Sequence, residues 1–278
     1  MTLQDFKLKM ISELSSIYEM DELNSIYNLL AEDYLKIPRS KILLANEIDL
    51  NESDQTLFLS ALERLKTHEP IQYVLGKTTF MDLEFKVNSS VLIPRPETEE
   101  LIRLILKEVI DEKEILDIGT GSGCIAISLA KNLSNAKVTA LDISSDALEV
   151  AKENAKLNNV SIEFINADIF EFQSDKKYDI IVSNPPYVTE SQKFEMKKNV
   201  LNFEPGLALF VEDVNPLIFY NRIFNIYSKN LKLDGLLFLE INSSLKKDFD
   251  QILEKIDYKN ISYIKDFENN YRFILLKR

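Results

Sequence analysis

The stretch Ile115-Leu116-Asp117-Ile118-Gly119-Thr120-Gly121-Ser122-Gly123 decides how this chain folds. A short apolar run leads straight into three glycines in five positions, although the whole chain holds only six. Such a run reads as a buried strand. Glycines directly behind it let the backbone turn tightly and let a ligand approach the N-terminus of the next helix. The pattern is G-x-G-x-G, and the sixth position of a dinucleotide fingerprint falls on Cys124. The turn therefore suits an adenosine-bearing ligand without phosphates better than a pyrophosphate.

Outward from this turn the chain alternates strand and helix. Strands are expected at residues 115–118, 137–141, 161–165, 179–183 and 236–241, with two late ones near 261–264 and 272–276. Helices are expected at 97–109, 125–133, 147–157, 217–231 and 245–256. Alternation of this kind implies an α/β fold, a mostly parallel sheet with helices on both faces. Ligands of such sheets bind beyond the carboxyl ends of the strands. Asp142 ends the second strand, some twenty residues after the glycines, where a carboxylate can accept both hydroxyls of a ribose. Asp168 ends the third, placed to accept from an adenine amino group, with Ile169 or Phe170 packing on the ring. The aperiodic stretch 189–216 is long enough to suggest a functional loop.

The fourth strand, Ile180-Ile181-Val182-Ser183, stops at Asn184-Pro185-Pro186-Tyr187. Neither proline can donate to a sheet ladder. The Asn184 carboxamide and neighbouring carbonyls are left at the strand end with uncommitted hydrogen bonds. Together they can accept and orient a planar –NH2 group, which the Tyr187 ring can cover. Alone, the four residues read equally well as a capped strand-to-loop corner.

The first seventy residues carry a different period. Leu23, Ile26, Tyr27, Leu30 and Tyr34 form one buried helix face with Asp21 as its expected N-cap, and Phe58, Ala61, Leu62 and Leu65 another behind Ser53. A period-two segment at 80–87 then suggests a hairpin. The expected domains are a helical bundle at 1–75, a linking hairpin at 76–93 and the α/β domain at 94–278. A single cysteine and a single histidine exclude disulfides and multi-cysteine or His-rich metal centres, so no metal is expected. The first ten residues lack the apolar core of a signal peptide, and the longest apolar run is too short for a bilayer span, which makes a reduced, cytoplasmic setting the expectation. The net charge of -12, from 45 acidic and 33 basic residues, argues against direct nucleic-acid binding.

Asp117, the three glycines, Asp142, Asp168 and the Asn184 corner occur in the order seen in class I S-adenosylmethionine-dependent methyltransferases, and the corner resembles their amino-group methylating branch. Residues 69–76 (Glu-Pro-Ile-Gln-Tyr-Val-Leu-Gly), 92–99 (Leu-Ile-Pro-Arg-Pro-Glu-Thr-Glu) and Phe203-Glu204-Pro205 narrow this further. From about Glu69 onward the chain resembles the bacterial peptide chain release factor glutamine methyltransferases. That resemblance implies a seven-stranded Rossmann-like sheet and S-adenosyl-L-methionine as methyl donor, leaving S-adenosyl-L-homocysteine. It also implies class I release factors as protein substrate, methylated on the glutamine of their Gly-Gly-Gln loop. Asp117, Gly119, Thr120, Gly121, Ser122, Gly123, Asp142, Asp168, Ile169 and Asn184 would hold the donor, Asp117 as a structural or water-mediated ligand to its methionine end. Asn184, Pro185 and Tyr187 would be catalytic, and Pro186, Phe80 and the 94–98 segment would line the substrate pocket. The alternatives are a ribosomal-protein glutamine methyltransferase, a nucleic-acid adenine-N6 or guanine-N2 methyltransferase, and a non-catalytic binder of the donor. One departure stands out: where the family continues into a glycine-rich turn, this chain has Phe210-Val211-Glu212-Asp213-Val214-Asn215.

Overall fold

The computed structural model describes residues 1–42, 47–109 and 113–278, which divide into two compact units. The first comprises residues 1–76 and 197–203, the second 77–196 and 204–278. In the first unit lie α1 (Leu3–Leu14), α2 (Met20–Leu35), α3 (Arg39–Ile42), α4 (Glu52–Lys66) and α5 (Ile71–Leu75). Leu23, Ile26, Tyr27 and Leu30 of α2 are buried with Phe58, Ala61, Leu62 and Leu65 of α4, as their spacing demands. Phe6 of α1 meets Phe58 at 4.7 Å between ring centroids. The caps sit elsewhere than expected. Glu19 precedes α2, which places Asp21 inside its first turn, and Asn51 rather than Ser53 caps α4 by accepting from the Asp54 N–H.

The second unit opens with a hairpin of β1 (Lys77–Phe80) and β2 (Leu83–Lys86), followed by α6 (Pro96–Glu108). The core alternation is β3 (Glu114–Ile118), α7 (Cys124–Asn132), β4 (Lys137–Asp142), α8 (Ser145–Leu157), β5 (Ile162–Asn166) and β6 (Tyr178–Ser183). The 189–216 stretch, expected as an irregular loop, holds β7 (Val188–Thr189), a 3-10 turn at Glu190–Glu195, α9 (Lys198–Phe203), which belongs to the first unit, and β8 (Phe210–Val211). The atypical Phe210-Val211 segment pairs in parallel with β7, burying Val211. Then come α10 (Ile218–Asn230), β9 (Leu231–Glu240), α11 (Lys246–Leu253), β10 (Asn260–Lys265) and β11 (Tyr271–Lys277). Strand β9 begins five residues before the expected 236–241, because its polar start at Lys232-Leu233-Asp234 hides it from a hydrophobic reading.

Seven strands form one sheet in the order β10-β11-β9-β6-β3-β4-β5. All neighbours from β9 to β5 are parallel, and β11 runs antiparallel to both β9 and β10. The continuous apolar runs are explained by two covered faces. Ile180 and Val182 point into a core shared with α6 and α7, while Ile181 points into another shared with α10 and α11. Each such burial contributes roughly 1.5–3 kcal/mol. Going outward from β3, the connections wind one way to β4 and β5 and the other way to β6 and β9. The reversal between β3 and β6 opens a crevice at their carboxyl ends. Those ends are the glycine turn and Asn184.

Candidate active site

A cavity of about 250 Å³ opens at that crevice. Its walls are the turn Gly119–Ser122 after β3, Asp142–Ser144 after β4, Ala167–Phe170 after β5 and Ser183–Pro186 after β6, with Phe219 of α10. Pro94, Arg95 and Thr98, around the start of α6, add to it, with Leu92, Pro205 and Ala208 among others. Four strand ends thus bring together the glycine turn, Asp142, Asp168, Ile169 and the Asn184 corner, residues spread from Gly119 to Pro186.

The turn is held from within. The Asp142 carboxylate accepts from the Gly121 N–H at 2.8 Å and from the Ser144 N–H at 2.9 Å, so it braces the turn as well as facing the cavity. Burial raises its pKa. Asp168 Oδ1 accepts from the Phe170 N–H at 2.9 Å, which shapes the loop that carries Ile169 to the wall. Phe170 packs on Phe219 with centroids 5.5 Å apart.

Three expected donor-site or substrate residues stand elsewhere. Asp117 is fully buried behind the turn and does not line the cavity. Its Oδ2 accepts from the Thr120 hydroxyl at 2.6 Å, Oδ1 takes no hydrogen bond of normal geometry among the described residues, and burial pushes its carboxyl up to about 7 against the Thr120 and Ala126 donors, with the Asp142 charge adding. Gly123 also lies off the cavity. With φ at +81°, a Cβ there would fall 2.9 Å from Ile127 Cδ1 and 3.1 Å from Ala151 Cβ, so this glycine serves the close packing of α7 on α8. Gly123→Ala is expected to cost about 1–3 kcal/mol through left-handed strain and this crowding. Urea unfolding checks it. Phe80, expected in the substrate pocket, is instead 1% exposed, edge-on to Phe85 at 6.0 Å in the core under α6 and α7. Its place in the chain between the domains suggests the pocket, but period-two alternation in the hairpin turns it inward.

Beside the main cavity lies a second of about 60 Å³, walled by Asn184, Pro185, Tyr187, Val188, Leu209 and Glu240 among others. The two share Leu92, Arg95, Asn184, Pro185 and Ala208. Tyr187 therefore lines the smaller space and not the larger. Its hydroxyl donates to Glu240 Oε1 at 3.3 Å, and burial pushes its phenol up.

Glu240 is a residue that reading the sequence missed, and Glu204 stands out there only within the Phe203-Glu204-Pro205 motif, with no role assigned. Glu204 has a buried carboxylate whose two oxygens take one guanidinium nitrogen of Arg95 at 2.6 and 2.8 Å, and the Ile93 N–H at 3.2 Å. The 92–99 and 203–205 motifs are thus two halves of one clasp. Glu240 is buried at the end of β9, its Oε2 accepting from the Thr98 hydroxyl at 2.8 Å. Its position inside the apolar run 236–241 is the available signal, since a carboxylate in such a run needs buried partners.

The fold is that of class I methyltransferases. A methyltransferase from Pyrococcus furiosus superposes with a TM-score of 0.53 at 18% identity, over 82% of this chain and 98% of that one. The T. thermophilus 16S rRNA N2 G1207 methyltransferase, solved with AdoMet and guanosine, gives 0.53 at 17% identity over 73% of this chain and 49% of that one. Residues 97–202 match the Methyltransferase small domain family, and residues 9–76 the PrmC N-terminal domain family. The release factor glutamine methyltransferase of Flavobacterium psychrophilum is 44% identical over 99% of this chain and 98% of its own length. That of Bacteroides thetaiotaomicron is 43% identical over 95% and 96%. The chain belongs to the release factor glutamine methyltransferase family. No helix among the described residues is long and apolar enough to cross a membrane.

Proposed function

We propose that this protein transfers a methyl group from S-adenosylmethionine to the side-chain amide nitrogen of the glutamine in the Gly-Gly-Gln loop of class I peptide chain release factors. The observation that carries the reading is the pair of cavities meeting at Asn184 and Pro185. The larger suits an adenosine-bearing donor. The smaller has room for a primary amide.

The residues present fit the donor. Asp142 keeps lone pairs beyond its two backbone hydrogen bonds for ribose hydroxyls, and Asp168 keeps Oδ2 for an adenine amino group, with Ile169 beside it. Gly119, Thr120, Gly121 and Ser122 form the floor. Asp117 Oδ1, with no hydrogen bond of normal geometry among the described residues, is a buried acceptor that a cationic group can satisfy through water. When bound, the donor supplies a methyl group activated on a positively charged sulfur. Asp142→Ala is expected to weaken its binding by about 10- to 100-fold, the scale of a hydrogen bond to a charged group. Titration calorimetry checks this, and an unchanged affinity would remove Asp142 from the ribose role.

The acceptor is the harder half. An amide nitrogen is a poor nucleophile because its lone pair is delocalised into the carbonyl. Asn184 Oδ1 and the Pro185 carbonyl accept the two substrate N–H bonds and orient the nitrogen. Both hydrogen bonds strengthen as positive charge builds there in the transition state, which lowers the barrier. Tyr187 walls the amide in the smaller cavity and restricts its tumbling, a positioning contribution, while Pro186, expected beside it, lines the larger cavity. The N-methylated, N-protonated amide is a strong acid and loses its proton to water. Mass spectrometry of a release factor tests the function: the Gly-Gly-Gln glutamine should gain one methyl in place of a hydrogen, and an unmodified glutamine would refute it. The same incubation with RNA and DNA pools tests the nucleic-acid alternative.

A further inference from the structure

For a carboxamide to receive an –NH2 group it must present oxygen, yet Asn184 can turn either end toward the cavity. The structure contains a device that chooses. Asn184 Nδ2 donates to Thr98 Oγ1 at 3.3 Å, and Thr98 Oγ1 donates to Glu240 Oε2 at 2.8 Å. A threonine hydroxyl has one proton. Once that proton is committed to the carboxylate, Oγ1 offers only lone pairs, and the end of Asn184 facing it must be NH2. Oδ1 is then turned away from Thr98, and among the described residues it takes no hydrogen bond.

We propose, resting on the methyl-transfer reading above, that Thr98 and Glu240 are positioning residues that lock the Asn184 carboxamide with its oxygen toward the substrate amide. The two stand 142 positions apart in sequence, and α6 and β9 bring them together. Both Glu240 oxygens are occupied as acceptors, Oε2 by Thr98 and Oε1 by the Tyr187 hydroxyl at 3.3 Å, which fits an orienting role rather than direct proton removal from substrate.

The lock has a protonation state. Burial raises the Glu240 carboxyl to about 7. Facing it are Thr98 and the negative Glu97 from α6, Tyr187 from the corner, and Arg272 of β11, itself paired with Asp266 at 3.1 Å. The Tyr220 hydroxyl from α10 donates to the Glu240 main-chain carbonyl. Above this pH the ionised carboxylate takes the Thr98 proton and the lock holds. Below it the protonated acid can donate to Thr98 Oγ1, freeing the threonine proton for Asn184 Oδ1 and turning the carboxamide the wrong way. Turnover should therefore fall as pH falls through about 7.

The test is single-turnover methylation of a release factor at saturating donor, from pH 6 to 8.5, with donor affinity measured alongside. Thr98→Val keeps the shape and loses the hydroxyl. It should lower kcat about 10- to 100-fold, the scale of a misplaced reacting group, with KM and donor affinity unchanged. Thr98→Ser should restore kcat to within a few-fold. Glu240→Gln, a neutral isostere of the protonated acid whose one oxygen cannot accept from both Thr98 and Tyr187, should stay near the low-pH rate from pH 6 to 8.5 and show no acidic limb. Wild-type kcat in Thr98→Val, or an acidic limb that persists in Glu240→Gln and so belongs to Asp117 or another group, would overturn the lock while leaving the methyltransferase intact. Absence of methylation by the wild-type protein at pH 8 would overturn both.

Discussion

Asn184→Ala is expected to lower methyl transfer by about 10²- to 10³-fold while S-adenosylmethionine binds nearly as before. The magnitude follows from where the hydrogen bond acts. In the ground state the amide N–H is neutral, so Asn184 Oδ1 adds little to substrate binding and KM should move little. In the transition state the nitrogen carries positive charge, and a pre-oriented acceptor in a partly desolvated cleft is worth more than water. The Pro185 carbonyl remains in the variant, so residual activity above background is expected. Donor affinity by calorimetry and single-turnover rates separate the two effects. Wild-type turnover in Asn184→Ala would sink the mechanism, and loss of donor binding in equal measure would make Asn184 a binding residue only.

Phe80→Ala should behave in the opposite way. Phe80 is 1% exposed and packs edge-on to Phe85, so its truncation leaves a cavity in the core under α6 and α7. A loss of about 3–5 kcal/mol in unfolding free energy is expected. Chemical denaturation gives this directly. Per folded molecule, kcat and KM should stay near wild type, since Phe80 lines neither cavity. A raised KM with unchanged stability would return it to the substrate pocket.

Much of the fold was readable because buried strands carry their signature locally. Ile180-Ile181-Val182 is apolar on both sides because helices cover both faces, and such a run needs no long-range information to recognise. Asp142, Asp168 and Asn184 were legible for a related reason: each stands where an apolar run stops, and strand ends point at the crevice in a parallel sheet. What stayed hidden is what depends on three-dimensional pairing. Nothing near Thr98 announces Glu240, and nothing near Arg95 announces Glu204, 109 positions away. Gly123 misled because glycine has two uses, admitting a ligand and admitting a neighbouring helix, and only Ile127 and Ala151 show which applies. Tyr187 was placed in the right corner, but only the two cavities show on which side of Asn184 its ring falls.

The first unit is made of residues 1–76 and 197–203, so the chain leaves it, builds more than a hundred residues of the second unit, and returns. During synthesis the helical bundle emerges first but cannot acquire its last segment until β3, β4, β5 and β6 have followed it out of the ribosome. The two units are thus interlocked in time as well as in sequence: a fragment cut at residue 76 is a bundle missing a piece, and a fragment begun at residue 77 carries α9 with the bundle it belongs to removed.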